Sequence, residues 1–83
     1  MKLLEPKSIF NKAIIGISID SNRAVYDFDL LISALMSSDK CTEDEAIEHI
    51  YHNIIGSIVE VSDAPIIINK HLDDYDLEED DNA

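Results

Sequence analysis

Apolar positions along the chain follow two different spacings, which divide its first 70 residues into predicted strands and helices. Residues 13–19 form an apolar run rich in β-branched side chains, which predicts a largely buried strand. Gly16, in the middle of this run, indicates a bulge or a close approach of the backbone. Residues 20–22 are typical of a turn, and residues 24–27 return as a second strand, so we predict a hairpin.

The apolar positions that follow are spaced for one face of an α-helix. Those positions are Phe28, Leu31, Ile32, Leu35 and Met36. Asp27 or Asp29 is expected to cap this helix by accepting hydrogen bonds from the free backbone amides of its first turn. Residues 37–39 are predicted to end it.

A second helix is predicted to begin at Thr42. Residues 42–45, Thr-Glu-Asp-Glu, match the capping-box pattern, and acidic residues in a first turn suit the helix dipole. The predicted buried face consists of Ala46, Ile47, Ile50, Tyr51, Ile54 and Ile55. Gly56 either ends this helix or lies on its exposed side, and we favour a helix that continues to about residue 59.

A third strand completes the predicted fold. Residues 62–65 break the helical pattern, and the Ile66-Ile67-Ile68 run predicts a short strand buried on both sides, which pairs with the hairpin. The predicted class is therefore α+β: a small antiparallel sheet covered by a helical hairpin, in the order β-β-α-α-β. Residues 13–70 form this single domain, and 71–83 form an acidic tail.

Residues 1–12 form the predicted N-terminal lead-in. This stretch is locally basic, with three lysines against Glu5. It is either a loose arm or a segment that packs on the domain through its apolar side chains. These are Leu3, Leu4, Ile9 and Phe10.

Charge limits the classes of partner. The chain has 18 acidic and six basic residues, a formal net charge of −12. Such a balance disfavours direct contact with nucleic acid or an anionic membrane, and it favours a basic protein surface. Seven of the acidic residues lie between Asp73 and Asp81 with no basic residue among them, so we predict that residues 73–83 are disordered when the protein is alone.

No apolar run reaches the ~20 residues of a membrane span and no targeting signal is recognised, which favours the cytosol.

Candidate chemistry is sparse. His49 and His52 lie three residues apart, and Glu45 and Glu48 each precede one of them by four. A zinc site would need further ligands from fixed positions, so we interpret these pairs as a solvated helix surface and expect no metal and no cofactor. Cys41 is the single cysteine, which excludes an internal disulfide. No catalytic motif is present, and we expect a protein that is not an enzyme.

Several sequence features follow one another in a fixed order between Arg23 and Ile68. They are Arg23-Ala24-Val25-Tyr26-Asp27, Leu35-Met36, Cys41-Thr42-Glu43-Asp44-Glu45-Ala46, then Glu48, Tyr51 and Asn53, and finally Ala64-Pro65-Ile66-Ile67. In order and spacing, residues 23–68 resemble a group of short uncharacterised proteins of bacterial viruses and prophages. Residues 53–57 depart from the usual helical continuation of that group, and the acidic tail is not part of its pattern. The resemblance implies a viral origin and carries no activity or site.

The acidic surface has two interpretations. It is either a solvated exterior with a solubilising tail, or a working surface whose carboxylates imitate a phosphate backbone. Neighbouring helix positions lie roughly 5–6 Å apart, which loosely approximates the charge spacing of one nucleic-acid strand. On the second interpretation the chain is a phage-type inhibitor of a host defence or nucleic-acid-binding protein. The predicted partner-binding residues are Asp39, Glu43, Asp44, Glu45, Glu48, Asp73, Asp74 and Asp76.

The alternative function is that of a self-associating structural or assembly accessory protein, for which a homodimer is one form. Its basis is an aliphatic content that one thin core does not easily cover, together with an edge strand that can pair with a second copy. The residues in question are Ile54, Ile55, Ile58, Ile66, Ile67 and Ile68. The two functions are compatible, because an inhibitor can also be a dimer.

Overall fold

The computed structural model describes residues 1–58 and 61–71. In chain order the elements are α1 (Lys7–Phe10), a 3-10 turn (Asn11–Ala13), β1 (Ile14–Ile17), β2 (Ala24–Asp27), α2 (Phe28–Asp39), α3 (Glu43–His49), a π-helical segment (Ile50–Ile55), α4 (Gly56–Ile58) and β3 (Ile66–Ile68). The last three helical pieces follow one another directly and form the second long helix, residues 43–58. The predicted α+β class and the order β-β-α-α-β are confirmed.

β1 and β2 form the predicted hairpin. Their pairing is antiparallel, and its register shifts between Ile14 and Gly16, so that Ile15 is an extra residue on β1. This is the bulge indicated by Gly16. Asn22 in the connecting turn has a φ of 58°, in the left-handed region that Asn adopts more readily than most residues.

The third strand differs from the prediction in direction. β3 pairs with β2 in parallel, with Val25 opposite Ile66 and Asp27 opposite Ile68. The sheet is therefore mixed, in the order β1-β2-β3, and the antiparallel arrangement was wrong for this strand. An antiparallel β3 would begin beside the end of β2. Instead, the long connection brings it back to the end where β2 begins, as a parallel crossover requires.

The burial predicted for the two outer strands was also wrong. Side chains of β1 alternate between half-buried and exposed, and all three residues of β3 are half-buried. Both strands lie at the edges of the described sheet, so each has a hydrogen-bonded neighbour on one side only. An apolar run in the sequence cannot distinguish such a strand from a central one, because the run does not show what covers each face.

The core lies between the sheet, α2 and the second long helix, and the N-terminal lead-in packs on it. Tyr26 of β2 is fully buried, and its hydroxyl accepts a hydrogen bond of 2.8 Å from the backbone N–H of Leu4. Phe10 of α1 is buried in the same cluster. Residues 1–12 are therefore a packed segment rather than a loose arm. The remaining core residues are Ala13, Ala24, Leu31, Ile32, Leu35, Ala46, Ile50 and Ile54.

The second long helix continues through Gly56 to Ile58, as favoured from the sequence. Most of its predicted apolar face packs on the core, but Tyr51 is exposed and contacts Phe28 edge to face, with the ring centroids 5.8 Å apart. Within the π-helical segment, the Gly56 N–H donates to the carbonyl of Tyr51, five residues earlier. The sequence did not predict this segment, since one wide turn leaves the i, i+4 spacing of Ile50 and Ile54 unchanged.

Asp27 joins the sheet to α2. Its side chain accepts a hydrogen bond of 3.0 Å from the N–H of Leu30, so Asp27 is the N-cap and Asp29 lies in the first turn. The Nζ of Lys70, just after β3, lies 3.7 Å from the other carboxylate oxygen of Asp27. One buried carboxylate therefore connects the end of β2, the start of α2 and the segment after β3. The predicted buried face of α2 is correct except at Met36, which is exposed.

Candidate functional site

The corner between α2 and α3 is the place where the predicted partner-binding residues meet. α2 ends at Asp39, and Lys40 then adopts a left-handed conformation with a φ of 55° that turns the chain out of the helix. Half-buried Cys41 follows, and its Sγ lies 3.7 Å from the carbonyl oxygen of Leu35. α3 begins two residues later. The turn thus places the last residue of α2 close to the acidic first turn of α3.

A capping box fixes the start of α3, as predicted. The Thr42 Oγ1 accepts a hydrogen bond of 3.2 Å from the Glu45 N–H, and the Glu45 carboxylate accepts one of 2.9 Å from the Thr42 N–H. Two backbone amides that would lack partners at a bare helix end are satisfied in this way. Glu45 therefore has a structural role in addition to its charge.

Five of the predicted residues lie at the end of α2 and along α3, and we call this set the acidic corner. Its members are Asp39, Glu43, Asp44, Glu45 and Glu48, and all of them are exposed. The buried positions of the same helix, Ala46 and Ile50, are four residues apart and anchor the opposite side to the core. The remaining predicted residues, Asp73, Asp74 and Asp76, lie outside the described residues, as does the predicted disorder of 73–83.

The carboxylates of the acidic corner differ in how they are engaged. Asp39 accepts a hydrogen bond of 3.0 Å from the Ser38 hydroxyl, and Glu45 belongs to the capping box. Glu43, Asp44 and Glu48 make no hydrogen bond or ion pair with any other described residue. The ion pairs in residues 1–58 and 61–71 involve the acids Glu5, Asp27 and Asp29. Within the described residues, a partner can therefore reach three charges without breaking a hydrogen bond or ion pair.

A groove of about 380 Å³ runs beside the acidic corner, between α2 and the start of α3. It is lined by Asp29, Ile32, Ser33, Met36, Glu43 and His71. The His71 Nε2 contacts the Asp29 Oδ2 at one end of the groove. Of these residues only Glu43 was predicted to bind a partner, whereas Asp29 was predicted as a possible helix cap and Ile32 and Met36 as part of the buried face of α2. The i, i+4, i+7 spacing of Asp29, Ser33 and Met36 was the available signal, but nothing in the sequence placed His71 beside it.

The two histidines of the second long helix lie on its surface, where His49 is half-buried and His52 is exposed. The His49 Nδ1 lies 3.2 Å from the Asn53 amide nitrogen, one turn further along. Among the residues described, no group of three or more His, Cys, Asp or Glu side chains is arranged to hold a metal ion. No helix in residues 1–58 or 61–71 combines the length and apolar character needed to cross a bilayer.

Comparison of the chain with models of known protein families, with curated proteins and with solved structures gives no match.

Proposed function

We propose that this chain is a small acidic binding protein of viral origin that inhibits a host defence or nucleic-acid-binding protein by occupying its basic groove. The observation that carries the proposal is the acidic corner, in which Glu43, Asp44 and Glu48 are exposed and form no hydrogen bond or ion pair with another residue of 1–58 or 61–71. Carboxylates already held by internal ion pairs would have to exchange partners on binding. A carboxylate that has no ion pair with another described residue does not have to give one up when it binds the partner.

The arrangement of charge along the chain supports the same proposal. Residues 27–83 contain 16 acidic and two basic residues, whereas residues 1–26 contain two acidic and four basic ones. A basic partner is therefore steered toward residues 27–83, the part of the chain that carries α2, α3 and the acidic tail. Asp44 and Glu48 are four residues apart on α3 and form a short row of negative charge, roughly 5–6 Å between neighbours. Such a row is the feature that we propose stands in for phosphates.

Binding is the favoured role of this surface, and we propose no catalytic step. General acid–base catalysis requires a carboxylate whose environment tunes it to the reaction. The residues of the acidic corner are exposed to solvent, where water screens each of them. The site of action proposed is the cytosol of the host cell, where a defence or nucleic-acid-binding protein would be met.

Capture from a host lysate tests the proposal. The immobilised full chain is expected to retain a nucleic-acid-binding protein at low salt and release it at high salt, because the contact is between charges. The Asp44→Asn/Glu48→Gln variant should lose most of this capture. The matched control is Glu5→Gln/Asp63→Asn, which removes the same two charges at positions outside the acidic corner. Equal capture by both variants, or recovery of no nucleic-acid-binding protein, would overturn the proposal.

Self-association is a second proposed function, favoured by a different observation. The isoleucines named for it from the sequence are largely used inside the fold: Ile54 is buried, and Ile55 and Ile58 pack against the core. Those of β3 are half-buried. Among the described residues, the exposed isoleucines lie instead on and just after β1, at Ile15, Ile17 and Ile19. We therefore propose that a second copy binds at β1.

A further inference from the structure

We infer that β1 is the contact surface for a second copy of this chain, which pairs with it antiparallel about a two-fold axis at Gly16. The inference deepens the proposal of self-association and rests on it, and it is independent of the proposed inhibition. It is carried by three separate features of β1: its free backbone edge, its exposed side chains and its local charge.

The outer edge of β1 has backbone groups free to pair. The Ser18 N–H donates to the Arg23 carbonyl across the hairpin at 2.8 Å, so Ser18 faces β2. Backbone groups alternate in direction along an antiparallel strand, which turns the N–H and C=O of Ile17 away from β2. Ile15 is the extra residue of the bulge and is left unpaired by β2. No described strand lies beyond β1.

The side chains at this edge are apolar and exposed. Ile15 is 42% exposed, Ile17 46% and Ile19 101%. Natural edge strands are commonly protected by a charged residue or a proline, and residues 13–19 contain neither. Two features do limit pairing: the bulge, and a strand length of only four residues. A self-contact here should therefore be short and weak, and its main apolar contribution should come from the three isoleucines.

Charge identifies a second copy as the occupant. Two chains of net charge −12 repel one another, and they repel least where their surfaces are not acidic. Residues 1–26, which contain β1, have a net charge of +2, against −14 for the rest of the chain. Lys12 precedes β1 and Asp20 follows it, each four residues from Gly16 and both exposed. An antiparallel pair therefore brings Lys12 of one copy near Asp20 of the other, twice.

The two-fold arrangement fixes the contacts. With Gly16 on the axis, Ile15 of one copy lies opposite Ile17 of the second, and the reverse contact repeats it. The backbone groups of Ile17 point outward and Ile15 has no partner on β2, so the two form the hydrogen-bonded pair of the new ladder. The two three-stranded sheets then become one continuous sheet, with the isoleucines together on one face.

Sedimentation equilibrium of the full chain, from about 10 µM to about 1 mM, tests whether the copies associate, because the upper concentration detects a dimer with a dissociation constant of about 1 mM. A reversible monomer–dimer equilibrium is expected. Ile17→Lys should raise its dissociation constant at least about tenfold. The control is Leu30→Lys, which makes the same change at an exposed position of α2 and should leave the constant unchanged. A wild-type monomer throughout, or equal effects of the two variants, would overturn the inference.

Charge exchange tests the register and does not depend on Ile17. Lys12→Glu and Asp20→Lys should each weaken the dimer, because each places like charges together, and the double variant should restore it. Net charge alone predicts a stronger dimer for Asp20→Lys, because this substitution makes each copy less negative and lowers the repulsion between copies. Stronger association of Asp20→Lys, or no rescue in the double variant, would exclude the antiparallel pair. Loss of the dimer in Asp44→Asn/Glu48→Gln would instead indicate head-to-tail contact with the acidic corner, and would also overturn the inference.

The two proposals can fail separately. A monomeric wild-type chain that still captures a basic partner removes the dimer and leaves the inhibitor. A chain that forms the dimer and captures no partner removes the inhibitor and leaves the dimer.

Discussion

Tyr26→Phe is the substitution that most directly tests how the N-terminal lead-in is held. Tyr26 is fully buried, and its hydroxyl oxygen accepts the 2.8 Å hydrogen bond from the Leu4 N–H. Leu4 is itself buried. The substitution keeps the ring and its packing and removes one oxygen atom. The Leu4 N–H then has no acceptor in a place that water reaches poorly.

The expected cost follows from that lost acceptor. A typical hydrogen bond contributes about 0.5–1.5 kcal/mol net, whereas a buried donor without a partner costs about 1–3 kcal/mol. We expect a loss in the second range, since only the acceptor is removed. For a domain of this length each 1 kcal/mol corresponds to roughly 4–8 °C in Tm. A fall in Tm of more than about 4 °C is therefore predicted.

Urea unfolding followed by circular dichroism measures the free energy of unfolding, and amide hydrogen exchange of Leu4 reports the local contact. The matched control is Tyr51→Phe, the same chemical change at an exposed ring whose hydroxyl has no hydrogen bond to any described residue. The control should change stability by less than about 0.5 kcal/mol. If Tyr26→Phe behaves like the control and the Leu4 amide exchanges as fast as an exposed one in the wild type, the lead-in is not held through this bond.

Three further substitutions test the helices by urea unfolding. Thr42→Ala should cost about 0.5–2 kcal/mol, because the Glu45 N–H loses its acceptor, and an unchanged stability would mean that the capping box does not form in solution. Ile50→Ala should cost about 2–5 kcal/mol, since Ile50 is fully buried, and a cost below 1 kcal/mol would place it outside the core. Gly56→Ala should stabilise by about 0.4–1 kcal/mol, because Gly56 has helical dihedrals and an added Cβ meets only the Tyr51 carbonyl oxygen, at 3.6 Å. Destabilisation by Gly56→Ala would show that the π-helical segment needs glycine there.

Local sequence signals predicted the parts of the fold that depend on neighbouring residues. The capping box at Thr42 was predicted outright, the cap of α2 at Asp27 or Asp29, and a bulge or close approach at Gly16, and the structure has the capping box, the cap at Asp27 and the bulge. The buried helix faces follow equally from spacing, apart from Met36 and Tyr51 at their margins.

Features that depend on distant parts of the chain were not predictable in the same way. The parallel direction of β3 is set by the path of the whole connection from α2 to Pro65, and no short segment encodes it. The exposure of Ile15 and Ile17 depends on which strand lies beside β1. The groove at Asp29 forms because His71, 42 residues away in sequence, is brought next to it. In each case the local pattern is compatible with more than one arrangement.

Titration of the captured partner with charge variants tests most directly whether the acidic corner is the surface that binds the partner. The variant to compare with the wild type combines Asp44→Asn and Glu48→Gln, with and without removal of residues 72–83. We predict a dissociation constant at least about tenfold higher, or 1.4 kcal/mol, with a free energy of unfolding that changes by less than about 0.5 kcal/mol, since exposed helix charges contribute only a few tenths. Binding that stays intact when both carboxylates and the tail are removed together would show that the acidic surface serves only solvation.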